Sequence, residues 1–305
     1  MITLGIDTSN YATSVALVDN DRHEILFADK RFLPVKQGEK GLRQQQALFY
    51  HIQNLTNIFS DFKRVDIGAV GVSVKPKDDE KSYMPCFLAG KMSARSISGS
   101  LGVPLVECSH QSGHLTSALF DLDNRELFDS TILMLHVSGG TTDILLAQNG
   151  QVLKTLGTSL DLFAGQAVDR LGVKLGFPFP AGEHLSALAA TCGRNIKVRV
   201  SVHGTNCNLS GLENQCDKLL AEGADRAYAA KYCLTYIAYT LIKMIENARK
   251  EYGLLPVVLA GGVMSSCVIK PIIESNIKNS FFVRPSLSSD NRVGVAVNAY
   301  RKLKR

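Results

Sequence analysis

Two histidines four residues apart, in the run His110-Gln111-Ser112-Gly113-His114, are the first residues here whose types and spacing could do chemistry. On a helix, positions i and i+4 share one face, where two imidazoles can ligate one metal ion. The same spacing also fits two unrelated helix histidines. A zinc protease of the H-E-x-x-H type needs a glutamate beside the first histidine as general base. Gln111 stands there and cannot take a proton from water at neutral pH, which disfavours a peptidase of that kind.

Other stretches offer backbone rather than side chains. Ser138-Gly139-Gly140-Thr141 is a small-residue loop that can turn N–H groups and hydroxyls toward phosphate oxygens; alone it also reads as a plain hairpin turn. The first loop, Asp7-Thr8-Ser9-Asn10-Tyr11, has similar chemistry. Ala260-Gly261-Gly262-Val263 is a strand-to-helix junction, suited to a nucleotide or to close packing. Asp290, in Ser289-Asp290-Asn291, either caps the last helix or serves as a hard oxygen ligand. Asp169 sits between Gly165 and Gly172, glycines that would let helices approach closely, and is otherwise a helix-surface carboxylate.

The elements that must position these groups follow from hydrophobic periodicity. Ile2 to Ile6 and Thr13 to Val18 read as strands around the first loop, with Glu24 to Phe27 continuing beyond a turn. Leu133 to Val137 and Asp143 to Ala147 repeat the pattern around the second loop. Thr8 falls over Ser138, an offset of 138 − 8 = 130, which suggests a duplicated lobe. Helices are expected over 40–59, 85–102, 109–120, 161–175 and 226–251, from about 265, and from about 292. Further strands are expected over 67–74, 104–107, 256–260 and near Phe281. Strands alternating with helices mean an α/β protein with a mixed sheet in each lobe. The expected division is an N-terminal lobe, 1–120, joined by a C-terminal helix, 289–305, and a second lobe, 121–288.

Composition bounds the rest. With 305 residues, 45% hydrophobic and 20% charged, the chain has ordinary globular material. A net charge of +6 allows nucleic acid as a partner without requiring it. Seven cysteines without a C-x-x-C pair argue against a disulfide framework or a Cys-rich zinc site and suit a reducing compartment. No secretory signal and no spanning apolar run is evident, so a soluble cytoplasmic protein is expected.

Taken together, the motifs resemble the universal tRNA threonylcarbamoyladenosine transferases, formerly called glycoproteases or O-sialoglycoprotein endopeptidases. The resemblance runs nearly end to end in the same order. It includes Leu4-Gly5-Ile6-Asp7-Thr8-Ser9, His110 to His114, Val137-Ser138-Gly139-Gly140, Ala164 to Asp169, Pro180-Ala181-Gly182, Asn208 to Leu212, Ala260 to Val263 and Ser289-Asp290-Asn291. It implies the actin-like ATPase fold shared with Hsp70 chaperones and sugar kinases. It also implies transfer of threonylcarbamoyl from its AMP anhydride to the adenosine beside a tRNA anticodon. His110, His114 and Asp290 would match the family's metal ligands, with His136 where archaeal relatives place a ligating Tyr. Ser138, Gly139, Gly140, Asp169, Gly182, Gly261, Gly262 and Ser266 would bind substrate or nucleotide, and Asp7 and Ser9 are catalytic candidates. The cofactors implied are one divalent metal, Fe or Zn with Mg also admitted, and an adenine nucleotide, either ATP/ADP or threonylcarbamoyl-AMP. Implied partners are tRNA and helper proteins of that pathway or a paralogous subunit, with no membrane.

The departures cluster around the substrate. Tyr11 and Ala12 replace two acidic residues, Ser266-Cys267 replaces Asn-Arg, and Lys75-Pro76-Lys77-Asp78 replaces Gly-Pro-Gly-Leu. Arg292 replaces a Gly, and the 38–44 segment replaces one that includes a His. They suggest a divergent branch. A non-catalytic paralogue that binds nucleotide and metal and acts through partners is the alternative. A kinase of the same superfamily, with Asp7 or Asp143 as its carboxylate, gives the histidine pair no role.

Overall fold

A computed structural model describes residues 1–9, 11–34, 42–62, 65–78, 82–284 and 291–304, with Arg125 described for its backbone alone. In chain order the elements are β1 (Ile2–Asp7), β2 (Ala12–Asp19), β3 (Glu24–Phe32), α1 (Gln44–Ser60), β4 (Ile67–Lys75), α2 (Phe87–Leu101), β5 (Leu105–Ser109) and α3 (His110–Asp121). They continue with α4 (Arg125–Asp129), β6 (Thr131–Val137), β7 (Thr142–Gln148), β8 (Gln151–Thr158), α5 (Ala164–Lys174), α6 (Gly182–Ala190), β9 (Val202–His203) and β10 (Asn206–Cys207). The last are α7 (Ser210–Ala221), α8 (Arg226–Tyr252), β11 (Val257–Ala260), α9 (Ile269–Asn276), β12 (Ser280–Phe282) and α10 (Arg292–Leu303).

The contacts divide the chain into two units. Unit 1 comprises Met1–Asn124, Gly150–Val152 and Asp290–Arg305; unit 2 comprises Arg125–Asn149 and Leu153–Ser289. Their sheets have one plan. The first runs β3-β2-β1-β4-β5 and the second, read in the same sense, β8-β7-β6-β11-β12. In each, an antiparallel hairpin (β1/β2, β6/β7) is extended by parallel strands (β4, β11). Among the described residues, no helix is long and apolar enough to cross a membrane.

Strand alternation sorts unit 1 into two faces. Leu4 and Ile6 of β1, with Val70 and Val72 of β4, bury into a core shared with Leu55 and Ile58 of α1 and Ala89 and Ala94 of α2. The intervening residues Thr3, Gly5 and Asp7, and Gly71 and Ser73, point to the opposite face. There Thr3 Oγ1 donates to the Ala296 carbonyl of α10 at 2.9 Å. A Cβ on Gly5 would meet the Arg292 carbonyl at 2.2 Å, and one on Gly71 the Val295 carbonyl at 2.4 Å. The last helix therefore lies against bare backbone. It meets α3 the same way, since a Cβ on Gly294 would sit 1.8 Å from the Gly113 carbonyl.

Several expected boundaries move for local reasons. The helix expected over 161–175 begins at Ala164, with Phe163 extended as its N-cap, while the Asp161 carboxylate before it is engaged by the Leu162 and Leu209 amides. Where a helix was expected from 265, a 3-10 turn spans Gly262–Ser265 and α9 starts at Ile269. The Ser266 hydroxyl accepts from the Val268 and Ile269 amides at 3.3 and 3.4 Å, the work of an N-cap. Helices α6 and α7 were not anticipated. The helix expected over 40–59 begins at Gln44, with Leu42 and Arg43 non-helical, and Lys40 and Gly41 lie outside the described residues.

Candidate functional site

In unit 1 the histidine pair opens α3. Ser109 is the N-cap, its Oγ accepting from the Ser112 amide at 2.9 Å. Asp78 secures that end, its carboxylate accepting from Ser109 Oγ at 2.8 Å and Ser112 Oγ at 2.6 Å. A carboxylate at a helix N-terminus is also favoured by the helix dipole. Gln111 N–H donates to the Pro76 carbonyl at 3.0 Å. The Lys75–Asp78 segment is thus the clamp on α3. Asp78 lies 31 residues from Ser109, so no local pattern announced it.

His110 and His114 stand one turn apart, their ring centroids 4.6 Å apart, and both are half-buried. Beside them, Asp7 ends β1 on the face that carries α3 and α10. Its Oδ1 lies 3.0 Å from His110 Nδ1 and accepts from Ser73 Oγ; its Oδ2 accepts from Ser9 Oγ at 2.7 Å. Burial pushes the Asp7 carboxyl up, but the His110 imidazole and the Ser73 and Ser9 hydroxyls outweigh it, leaving the pKa below the ordinary carboxylate value. The Asn291 carboxamide, at the N-cap of α10, also meets His110 Nδ1. Thr8 ties the first loop to α2, accepting from the Gly90 amide at 3.2 Å and donating to the Cys86 carbonyl at 3.1 Å.

The donor set offers two of the nitrogen ligands that a divalent metal would need. Two neighbouring imidazoles with a hydrogen-bonded carboxylate behind one of them are nitrogen ligands of the kind Zn and Fe take. Among the described residues no group of three or more His, Cys, Asp or Glu side chains is arranged to hold a metal ion. Asp290, the expected oxygen ligand, lies outside the described residues.

In unit 2 the small-residue loop follows β6. Ser138 N–H donates to the Thr141 carbonyl at 2.8 Å, and Gly140 N–H to Ser138 Oγ at 3.3 Å, while Gly139 and Gly140 are exposed. Helix α5 starts against this loop. Gly165 N–H donates to the Ser138 carbonyl at 3.1 Å, and a Cβ on Gly165 would lie 2.5 Å from the Gly139 nitrogen. Gly261, at φ +104°, is pressed on β6, where a Cβ would meet the Val137 carbonyl at 2.1 Å; Gly262 is exposed. Asp169 accepts from the Ala181 amide at 2.8 Å and so fixes the start of α6, where Gly182 stands. Besides its capping bonds, Ser266 Oγ lies 3.0 Å from Ser186 Oγ. His136, on β6, pairs in register with Asp143 and Ala260, on the strand face away from Leu135 and Val137. Asp143 is buried and accepts from Thr158 Oγ1 at 2.6 Å.

The family model described as tRNA N6-adenosine threonylcarbamoyltransferase matches residues 82–297. The protein of that name from Syntrophomonas wolfei is 27% identical over 320 residues, covering 98% of this chain and 91% of its own length. Among solved structures, the activator of the 2-hydroxyisocaproyl-CoA dehydratase from Clostridium difficile superposes with a TM-score of 0.57 at 18% identity, covering 100% of this chain and 96% of that one. A ROK hexokinase from Thermus thermophilus gives 0.52 at 16% identity, covering 100% and 99%. These two likenesses bear on the fold alone, an α/β fold of two mixed-sheet lobes resembling that of the actin, Hsp70 and sugar-kinase superfamily.

Proposed function

The chain belongs to the tRNA N6-adenosine threonylcarbamoyltransferase family, and on that premise we propose that it transfers a threonylcarbamoyl group from its mixed anhydride with AMP to the exocyclic amine of a tRNA adenosine. The observation that carries this reading is the adjacent His110 and His114 rings beside the first loop of unit 1. In the reaction the amine nitrogen bonds to the carbamoyl carbon and loses a proton. The carbon–oxygen bond to AMP breaks, and AMP leaves with its electron pair. The anhydride is already activated, so no protein nucleophile is required.

His110 and His114 would hold the divalent ion; Asp290 and His136 are the further ligands that the family resemblance implies. When bound, such an ion supplies Lewis-acid polarisation and holds anionic oxygens. The exposed Gly139, Gly140 and Gly262 let backbone approach a phosphate closely. Ser138 shapes its loop, Asp169 sets the turn that leads to Gly182, and Ser266 sets the turn after Gly261. Ser9, bonded to Asp7, anchors the first loop.

The test supplies purified protein with threonylcarbamoyl-AMP, the pathway's helper proteins and unmodified tRNA, and reads the nucleosides by mass spectrometry. Threonylcarbamoyladenosine is expected, and its absence with active helpers would sink the reaction. Elemental analysis of His114→Ala should show metal loss; full retention contradicts the site.

A second reading, a diverged paralogue that binds nucleotide and metal and acts through partner proteins, is favoured by the half-exposed Tyr11 and by the Asp78 clamp at positions where typical relatives differ. Tight nucleotide binding without transfer, persisting after acidic residues are restored at Tyr11 and Ala12, would select it.

A further inference from the structure

We propose that Asp7 is a positioning residue that holds His110 in the tautomer with its hydrogen on Nδ1, so that Nε2 presents the lone pair. The inference rests on His110 being a metal ligand only in its consequence for affinity; the tautomer stands on geometry.

Asp7 is buried, 2% exposed. Its two oxygens are turned inward, to Ser9 on one side and to Ser73 and His110 on the other. An ionised carboxylate only accepts hydrogen bonds. At 3.0 Å from Asp7 Oδ1, His110 Nδ1 is therefore the donor and carries the hydrogen. In the neutral ring the lone pair is then on Nε2.

Asn291 supports the same assignment. Its carboxamide meets the same ring nitrogen, while its Oδ1 faces Gly113, buried and without a hydrogen-bond partner among the described residues. A nitrogen already carrying hydrogen offers nothing to an amide donor. The two ends of a carboxamide are isosteric, and the assignment follows from the bonding. Turned end for end, Oδ1 accepts from His110 Nδ1 and the buried oxygen gains its partner. Two acceptors then surround Nδ1, and both favour hydrogen there.

Backbone packing delivers all three groups. Period-two alternation sends Asp7 and Ser73 to one face of the sheet, and Gly5 and Gly71 let α10 close on that face with Asn291 at its start. The arrangement matches a recurring device, in which a ligating histidine hands its second N–H to a carboxylate and loss of that partner costs about 10–100-fold in metal affinity.

The experiment combines ring-nitrogen NMR of the metal-free protein at mildly alkaline pH with Zn²⁺ competition against a chromophoric chelator. Wild-type His110 should show hydrogen on Nδ1. Asp7→Asn should populate the Nε2–H form and weaken Zn²⁺ binding by about 10–100-fold; Ser73→Ala, which keeps the carboxylate, should retain the Nδ1–H form. An Asp7→Asn variant with wild-type ring shifts and wild-type affinity overturns the proposal. If that variant does not fold, the wild-type spectrum decides, because an Nε2–H ring there overturns it as well. Wild-type protein that shows the Nδ1–H ring yet binds no Zn²⁺ supports the role of Asp7 and defeats the metal reading alone.

Discussion

Replacing Gly294 by alanine tests whether the crossing of α10 on α3 is as tight as the geometry implies. The added Cβ would sit 1.8 Å from the Gly113 carbonyl oxygen, 2.5 Å from the Ser117 nitrogen and 2.8 Å from the Gly113 carbonyl carbon. All three are backbone atoms, so no side chain can rotate away and one helix must shift. Overpacking of this kind costs about 1–3 kcal/mol, and the upper end applies where nothing yields. Unfolding entropy near 2.1 cal/mol/K per residue converts about 3 kcal/mol into a Tm loss of about 10 °C if unit 1, about 140 residues, unfolds alone. If the 305-residue chain unfolds as one, the loss is about 5 °C. The control is Gly99→Ala in α2, where an added Cβ meets nothing within 4 Å. Alanine there should stabilise by roughly 0.5–1 kcal/mol through helix propensity. Calorimetry on both variants is the assay. A Gly294→Ala protein unfolding within about 1 °C of wild type would refute the packing argument.

In unit 2, Gly261→Ala meets both a φ of +104° and the Val137 carbonyl at 2.1 Å; thermal unfolding should show a loss at least as large as for Gly294→Ala. His51 is fully buried, and burial holds its pKa down at about 4. Below about 6.5 the unfolded chain binds a proton that the folded one refuses, so stability should fall as pH drops from about 6.5 to 4, by roughly 3 kcal/mol at most. Urea titrations across that range should show this slope, and His51→Phe should flatten it. The Asp161 carboxylate accepts from the Leu209 amide at 2.7 Å and from the Ser210 hydroxyl at 2.5 Å, bonds that outweigh desolvation and hold its pKa well below the ordinary value. Asp161→Ala should cost about 0.5–2 kcal/mol as a lost cap. The carboxylate's contribution is present at neutral pH and lost as pH falls through the folded pKa, so in acid the variant and wild type should converge.

How much was legible in the sequence depended on range. The β1/β2 and β6/β7 hairpins announced themselves because alternation and turn residues are local, and their offset exposed the repeat that the two strand orders share. The His110 and His114 pair was legible for the same reason, since one helical turn sets it. Helices α6 and α7 passed unread. The first follows a proline-rich turn held by Asp169 of α5, and the second is capped by Asp161 from 49 residues away. In both cases the start signal lies outside any local window.

The meeting of Asp7 with His110 shows what was missing. Alternation within β1 fixes only that Asp7 shares a face with Gly5 and Thr3, and within β4 that Ser73 shares one with Gly71. Register joins the two: Gly5 pairs with Gly71 and Ile6 with Val72, which brings the carboxylate and the serine hydroxyl to one strand end. The small residues then decide which helix covers that face, because only bare backbone lets α10 approach Arg292 O to Gly5 and Gly294 to Gly113. Gly5 and Gly294 looked like unremarkable glycines in sequence, one in a strand and one in a helix. Each is required by a partner nearly a whole chain length or a lobe away, and together they bring Asn291 and Asp7 to the same ring nitrogen. On this argument the glycines govern the histidine's orientation as firmly as its polar neighbours do, and a methyl added at Gly294 should disturb the His110 ring signals before it unfolds the protein.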